Sequence, residues 1–522
     1  MLLSPAPLLR RAAQLFVCGL VLQATTAAAQ TLPQLQPGPY PVAHYDWNFG
    51  NIATTHPSSG STLNVGHYGR ISYPSDGSGG ALPPVAAGNF PLLVFGHGRF
   101  GTGPNNHLQA AYLMDHLASW GIVATSVSLD VVGQFGSPAA IPQRGDILLG
   151  TIERTLNLVA QLGSPPLGLA AAIDGTRIGL AGHSRGGEGV ADALIKNAAS
   201  NLYPILGAAT IAPTDFEAYT LPVDVPYMSI YGSKDGDVNN GWPIFLHDRG
   251  ASAEKMFEYV PGANHFWFTE SLQYSGEGNA DIPRDHHHQV AKAYIGGFMV
   301  QKLIGNGFES TAFADGPEML PLTSVIEVHP MFRHADRFAV DDFETQSSLT
   351  TSSSGGPVVT TYPRAREDTL RQSSYTFYHV TNGAMGAWPG GSGGGSYMAG
   401  LPNSSFDATA WTQLSVKFAQ RWDAPFNIVD QDQDVNLTLQ DADGDRATLL
   451  LSDYGRIPWP VTHNGTWIQN FPKKTVLRTT RLPLADFVTA NPALDLTRLA
   501  GLAWTSVKSS GEIEFDDVEF SK

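Results

Sequence analysis

The tightest constraint on the fold is a single junction. Arg177-Ile-Gly-Leu-Ala181 reads as a short buried strand that runs without a spacer into Gly182-His-Ser-Arg-Gly186, followed by a helix to about Asn197. A strand that turns sharply into a helix belongs to a mostly parallel sheet covered by helices. Gly182, Gly186 and Gly187 let the chain reverse, and the serine between them is strained outward at the helix N-terminus.

The surrounding chain keeps to this theme. Pro91-Leu-Leu-Val-Phe95 reads as a buried strand ended by Gly96-His97-Gly98, and Leu108 to Trp120 as a helix closed by Gly121. Ile122 to Leu129, Ala208 to Ala212, Pro226 to Tyr231 and Met256 to Val260 are further strands. Ile147 to Leu162 and Arg284 to Ile304 are helical, the second an amphipathic closing helix. Residues 30–307 are therefore expected to form an α/β domain, with 308–335 as a linker. From 336 to 522 the helical periodicity disappears. Short alternating runs such as Leu414/Val416/Phe418 and Val435/Leu437/Leu439 are separated by Gly- and Ser-rich turns, the pattern of an all-β sandwich.

Residues 1–29 read as an export signal: Arg10 and Arg11 precede a short apolar run, and Ala27-Ala28-Ala29 offers a cleavage site. The expected location is extracellular or periplasmic. Cys18, the sole cysteine, lies within that signal, so no disulfide or thiol chemistry is expected in the mature chain. The formal charge of −16, more negative once the two arginines are removed, argues against nucleic-acid partners and anionic membrane surfaces.

G-x-S-x-G between a strand and a helix is the pattern of a nucleophile elbow, which makes Ser184 the candidate nucleophile. A serine hydroxyl needs a base. His265, in Gly262-Ala-Asn-His-Phe266, follows the last strand of the α/β region and precedes its last helix. The base in turn needs a carboxylate to fix its tautomer. Asp235 in Tyr231-Gly-Ser-Lys-Asp-Gly-Asp-Val238 is the first choice, its neighbour Asp237 could substitute, and Asp215 after the preceding strand also remains open. Two backbone N–H donors for an oxyanion are expected from Arg185 and from Arg99, with Phe100 as second choice for the latter. Phe100 and Trp267 are candidate substrate contacts, and Phe266 and Phe268 add rings nearby. The run His286-His287-His288, behind Asp285 as an N-cap, reads as a solvated helix start, since three consecutive residues cannot share one helical face. No metal or cofactor is expected.

Gly38-Pro-Tyr-Pro-Val42, Tyr73-Pro74, Phe90-Pro-Leu-Leu-Val-Phe-Gly-His-Gly98, Gly182-His-Ser-Arg-Gly-Gly187 and Gly262-Ala-Asn-His265 together resemble the bacterial branch of the α/β hydrolases. That branch holds platelet-activating-factor acetylhydrolase-like, dienelactone-hydrolase-like and cutinase or polyester-hydrolase enzymes. The resemblance spans roughly Gly38 to Ile304 and implies an α/β-hydrolase fold with Ser184, His265 and Asp235 as nucleophile, base and acid. The chain departs from the cutinase pattern in lacking a C-terminal disulfide and in having Arg185 where polyester hydrolases usually have Met.

Phe338-Ala-Val-Asp-Asp-Phe-Glu344 and Gly511-Glu-Ile-Glu-Phe-Asp-Asp-Val-Glu-Phe520 are similar to the opening and closing strands of jelly-roll carbohydrate-binding modules. That resemblance implies a module that would concentrate the enzyme on a polymer. Trp411, Trp459, Trp467 and Trp504 fit sugar stacking or, as a group, the core. Asp441-Ala-Asp-Gly-Asp445 mimics the start of a Ca²⁺ loop without its downstream Glu, and a Gly-centred hairpin accounts for it equally. The expectation is a secreted serine esterase acting through an acyl-enzyme on an ester that is soluble, polymeric or polysaccharide-linked. The alternatives are a serine peptidase with the same triad and a polysaccharide-binding or adhesion protein built on the hydrolase scaffold. Because the triad is complete by His265, the β domain is expected to be dispensable for turnover of a small ester.

Overall fold

The computed structural model describes residues 35–99, 105–135, 139–162, 165–270, 277, 279–305, 326–345, 348–373, 376–391, 394–462 and 474–522. The expected signal, Phe100, Trp467 and most of the 308–335 segment lie outside the described residues.

The first half of the chain forms a nine-stranded sheet in the order β1-β2-β4-β3-β5-β6-β7-β8-β9. Its strands are β1 Val42–Thr55, β2 Thr62–Pro74, β3 Phe90–Gly96, β4 Val123–Val127, β5 Ile173–His183, β6 Ile205–Ile211, β7 Tyr227–Gly232, β8 Lys255–Val260 and β9 His329–Arg333. Neighbours from β4 through β8 are parallel, while β1/β2, β2/β4 and β8/β9 are antiparallel. The parallel strands read as continuous apolar runs because both faces are covered. In β3, Leu93 and Phe95 join the core under helices Ala111–Ser119 and Gly297–Ile304. Leu92 and Val94 point the other way, toward helices Ile141–Leu156 and Arg185–Ser200.

Three features depart from the sequence expectation. The long β1–β2 hairpin is absent from the sequence expectation, although β1 alternates apolar and polar residues from Ala43 to Phe49, a pattern that shifts only at the bulge between Asn48 and Asn51. His329–Arg333, placed in the linker, is the ninth strand, pairing antiparallel with β8. The single helix expected over Arg284 to Ile304 is two α-helices, Arg284–Ala291 and Gly297–Ile304, around a π turn at Lys292–Gly296. Among the described residues, no helix is long and apolar enough to cross a membrane.

The second half is a sandwich of two antiparallel sheets, as expected. Its strands are β10 Arg337–Asp341, β11 Val358–Thr360, β12 Arg364–Ser373, β13 Thr376–Trp388, β14 Ser396–Gly400, β15 Gln413–Gln420, β16 Val435–Asp441, β17 Arg446–Leu450, β18 Arg478–Pro483, β19 Leu499–Ser506 and β20 Gly511–Ser521. One sheet runs β12-β13-β20-β15-β18 with β10 on β20; the other runs β11-β14-β19-β16-β17. Ile513, Phe515, Val518 and Phe520 of β20 fill the space between the sheets with Trp388, Trp504 and Phe418. Trp504 is wholly buried there, Trp459 is buried, and Trp411 packs half-buried against the same core.

The other face of β20 is buried too. Glu512 pairs with Arg421 at 3.0 Å and Glu519 with Arg337 at 3.2 Å, and Asp517 holds Lys417. The strand that resembles a binding-module strand therefore has acids on a covered face. The two halves are joined by polar and apolar contacts. His379 Nδ1 of β13 lies 3.0 Å from Asp248 Oδ2, and Phe332 N of β9 donates to Thr479 Oγ1 of β18 at 2.8 Å. Leu370, Ala419 and Leu477 of the sandwich belong to the same apolar cluster as Phe257, Tyr259 and Phe332 of the α/β half. A shared core does not separate cleanly. The β domain is docked on the α/β half through this core.

Candidate active site

Parallel strands place every residue that follows their carboxyl ends at one edge of the sheet. The loops after β3, β5, β7 and β8 carry Gly98–Arg99, Ser184, Asp235 and His265, and these strands lie close together in the sheet order. Convergence of the candidate residues is thus a consequence of topology.

Ser184 stands between β5 and the helix Arg185–Ser200 with φ 57° and ψ −128°. A non-glycine residue in that region stores strain. The flanking glycines do not share it: positive φ falls on the serine, whereas Gly182, Gly186 and Gly187 serve close packing. A Cβ on Gly186 would come within 2.2 Å of Gly96 O, and one on Gly182 within 2.5 Å of Gly186 O. The elbow is thereby pressed against the end of β3. Gly98 completes the contact, since a Cβ there would lie 2.7 Å from Ser184 Cβ. The loop from which Arg99 would supply an oxyanion donor therefore lies against the serine.

That loop is braced from below. His97 Nδ1–H donates to Gly98 O at 2.7 Å, and its Nε2 accepts Leu129 N–H at 2.7 Å. Burial keeps this imidazole neutral, with its pKa lowered to about 4, as the two bonds require. The buried Arg144 donates to His97 O at 3.2 Å. Arg185 opens the helix; its side chain reaches Phe135 O at 2.8 Å and covers the Phe216 ring, leaving its backbone N–H as the group of interest.

Asp235 and His265 meet. Asp235 Oδ2 lies 2.7 Å from His265 Nδ1, with both side chains buried. The second carboxylate oxygen, Oδ1, accepts the backbone N–H groups of Asp237 at 3.0 Å and Val238 at 2.7 Å, which fixes the rotamer. Burial disfavours the imidazolium of His265. The Asp235 carboxylate and its hydrogen bond, with added negative charge from Asp237 and Glu277, outweigh that and hold the pKa up at about 9. His265 Nε2, the nitrogen that must face a nucleophile, lies 3.5 Å from Asp237 Oδ2. The His183 ring, next to Ser184, lies 4.5 Å from the His265 ring, and its Nε2 bonds His265 O at 3.1 Å.

The other sequence candidates resolve as follows. Asp215 is held by Arg249, away from the imidazole. Trp267 is half-buried against His287, with ring centroids 5.7 Å apart, while Phe268 belongs to the core and Phe266 stands edge-on to His265 at 5.1 Å. Phe100 lies outside the described residues.

The histidine run is not a solvated helix start. Pro283 is the N-cap and Asp285 falls within the first turn. His287 is buried, its Nδ1–H donating to Pro283 O at 2.9 Å and its Nε2 accepting Asn264 N–H at 2.9 Å. It thus fixes the residue before His265. Glu277, also missed in the sequence, accepts Phe266 N–H at 2.7 Å from the other side, and burial lifts its pKa to about 7.

Among the described residues, no three His, Cys, Asp or Glu side chains are grouped to hold a metal ion. No protein-family model matches the chain, and no curated protein shows significant similarity to it.

Proposed function

We propose that this chain is a serine hydrolase of carboxylic esters, of the α/β-hydrolase type, with Ser184, His265 and Asp235 as its triad. The observation that carries the reading is the buried 2.7 Å contact of Asp235 with His265 on loops that open at the same sheet edge as the strained Ser184. A structural loop has no need of a nucleophile at positive φ pressed against a glycine turn, nor of a buried carboxylate aimed at an imidazole.

Ser184 Oγ attacks the acyl carbon while His265 Nε2 takes the hydroxyl proton, and the carbonyl π electrons move onto oxygen. Backbone N–H groups of Arg99 and Arg185 stabilise that oxyanion. The intermediate collapses, expelling the alcohol, which takes the proton from His265, and an acyl-serine remains. Water, deprotonated by His265, attacks the acyl carbon; collapse releases the acid and restores Ser184. Asp235 accepts the Nδ1–H throughout and so keeps that tautomer. For Nε2 to serve as base, it must exchange its present neighbour Asp237 for the Ser184 hydroxyl, a contact that tightens when substrate fills the site.

The test is turnover of p-nitrophenyl esters of increasing acyl length, beside peptide amides, acetylated xylan and a polyester. Ester hydrolysis that falls at least about a thousandfold in folded Ser184→Ala supports the reading. Amide hydrolysis exceeding ester hydrolysis would make it a peptidase, and no turnover of any kind would leave a binding protein.

A further inference from the structure

Lys474 belongs to the β-sandwich half, just ahead of β18, yet its side chain is buried at 2 % exposure in the α/β half. A buried lysine is costly and needs compensation. Its Nζ donates to Tyr231 Oη at 2.6 Å and lies 4.8 Å from the centre of the Tyr231 ring. Tyr231, at the end of β7, donates its hydroxyl proton to Val238 O at 2.6 Å. The N–H of that same Val238 donates to Asp235 Oδ1 at 2.7 Å. One chain of contacts therefore runs from the sandwich, through a wholly buried tyrosine, to the carboxylate that holds His265.

We propose that Lys474 is a positioning residue of the catalytic site: by gripping Tyr231 it fixes the 233–238 loop and so aims Asp235 at His265. The proposal rests on the triad reading above. It makes the sandwich part of the catalytic apparatus, with a role apart from binding a polymer. Burial draws the Lys474 pKa down to about 7, and the charge that draws it back up is Asp235, so the ammonium and the catalytic carboxylate feel one another across the tyrosine. Tyr231 stays protonated, its pKa raised well above the ordinary value by burial and then by Asp235, which keeps it a donor to Val238. Loss of the grip leaves a phenol with one partner fewer and a loop free to shift, and small misplacements of a catalytic group cost large factors in rate.

The experiment uses the full chain. Lys474→Met keeps the length and removes the cost of burying an ammonium, which offsets the lost hydrogen bond, while Tyr231 keeps Val238 O as its acceptor. The expected result is an unchanged Tm, a kcat lower by about tenfold, an unchanged KM, and a displaced downfield proton resonance of the His265–Asp235 hydrogen bond. Tyr231→Phe keeps the ring and should give the same loss, and the double variant should lose no more than either single one. If Lys474→Met does not fold, Tyr231→Phe carries the test by the same readouts. A kcat within about twofold of the parent, with an unmoved resonance in either folded variant, overturns the proposal. Fluorophosphonate labelling of the parent separates the two readings. If Ser184 takes the label and both variants keep their rate, Lys474 loses its role while the triad stands. If Ser184 takes no label, both fall.

Discussion

Two aspartate-rich turns, one in each half of the chain, use their first carboxylate in the same way and then diverge. Asp235 Oδ1 accepts the backbone N–H groups two and three residues on; Asp441 Oδ1 accepts those of Asp443 and Asp445 at 3.0 and 2.9 Å. The other oxygen decides the role. Asp235 Oδ2 faces an imidazole, whereas Asp441 Oδ2 accepts Asp495 N–H at 2.9 Å and so staples a neighbouring loop. Of the remaining acids of the second turn, Asp443 pairs with Arg498, which also holds Asp495 of the neighbouring loop. Residue type and spacing draw both turns alike; the partner of one oxygen separates a candidate catalytic acid from a structural one.

Substitution can break this comparison. Asp235→Asn should lower kcat on the order of 10⁴-fold, because the amide favours the wrong imidazole tautomer. Asp441→Ala should leave kcat unchanged and lower Tm by a few degrees, since backbone donors lose a buried acceptor. If Asp441→Ala harmed turnover as Asp235→Asn does, the division of roles would fail. Added Ca²⁺ should not raise the Tm of the parent, because both carboxylate oxygens of Asp441 already accept backbone N–H groups and Asp443 is held by Arg498.

Asp237→Asn should have the smallest effect and sharpen the account most finely. A base must be unprotonated to act, so a His265 pKa raised to about 9 gives kcat/KM that climbs with pH through that value. Removing the Asp237 charge lowers that pKa, and the acid limb should move to lower pH. The shift should be a fraction of a unit, because Asp237 is 41 % exposed and screened by solvent. A limb that did not move would contradict the electrostatic role of Asp237, and kcat losses matching those of Asp235→Asn would make Asp237 the acid.

The sequence makes the elbow legible because its causes are local: a buried strand, glycines that alone tolerate the packing around Gly182 and Gly186, and a helix that starts at once. The alternation of β15, β16 and β20 is equally local, and it announces the sandwich. The partners that brace the site are not legible. His287 reads as one of three polar residues at a helix start, and only its burial beside Asn264 gives it work. Nothing near Lys474 in sequence indicates that Tyr231, more than two hundred residues earlier, receives it. β9 forms across a long gap from β8, beyond the reach of any local pattern. Both faces of β20 are buried, so the acids that suggested a ligand-binding strand are explained by the surface that covers them.

The central claim is that Ser184 forms the acyl-enzyme. The direct measurement is mass spectrometry of the full-length chain quenched during turnover of a slow p-nitrophenyl ester, with the parent compared against Ser184→Ala. The account predicts one acyl group per chain, located on the peptide holding Gly182-His-Ser-Arg-Gly186, and none on the folded variant. An acyl group on any other residue, or continued turnover by folded Ser184→Ala, would contradict it.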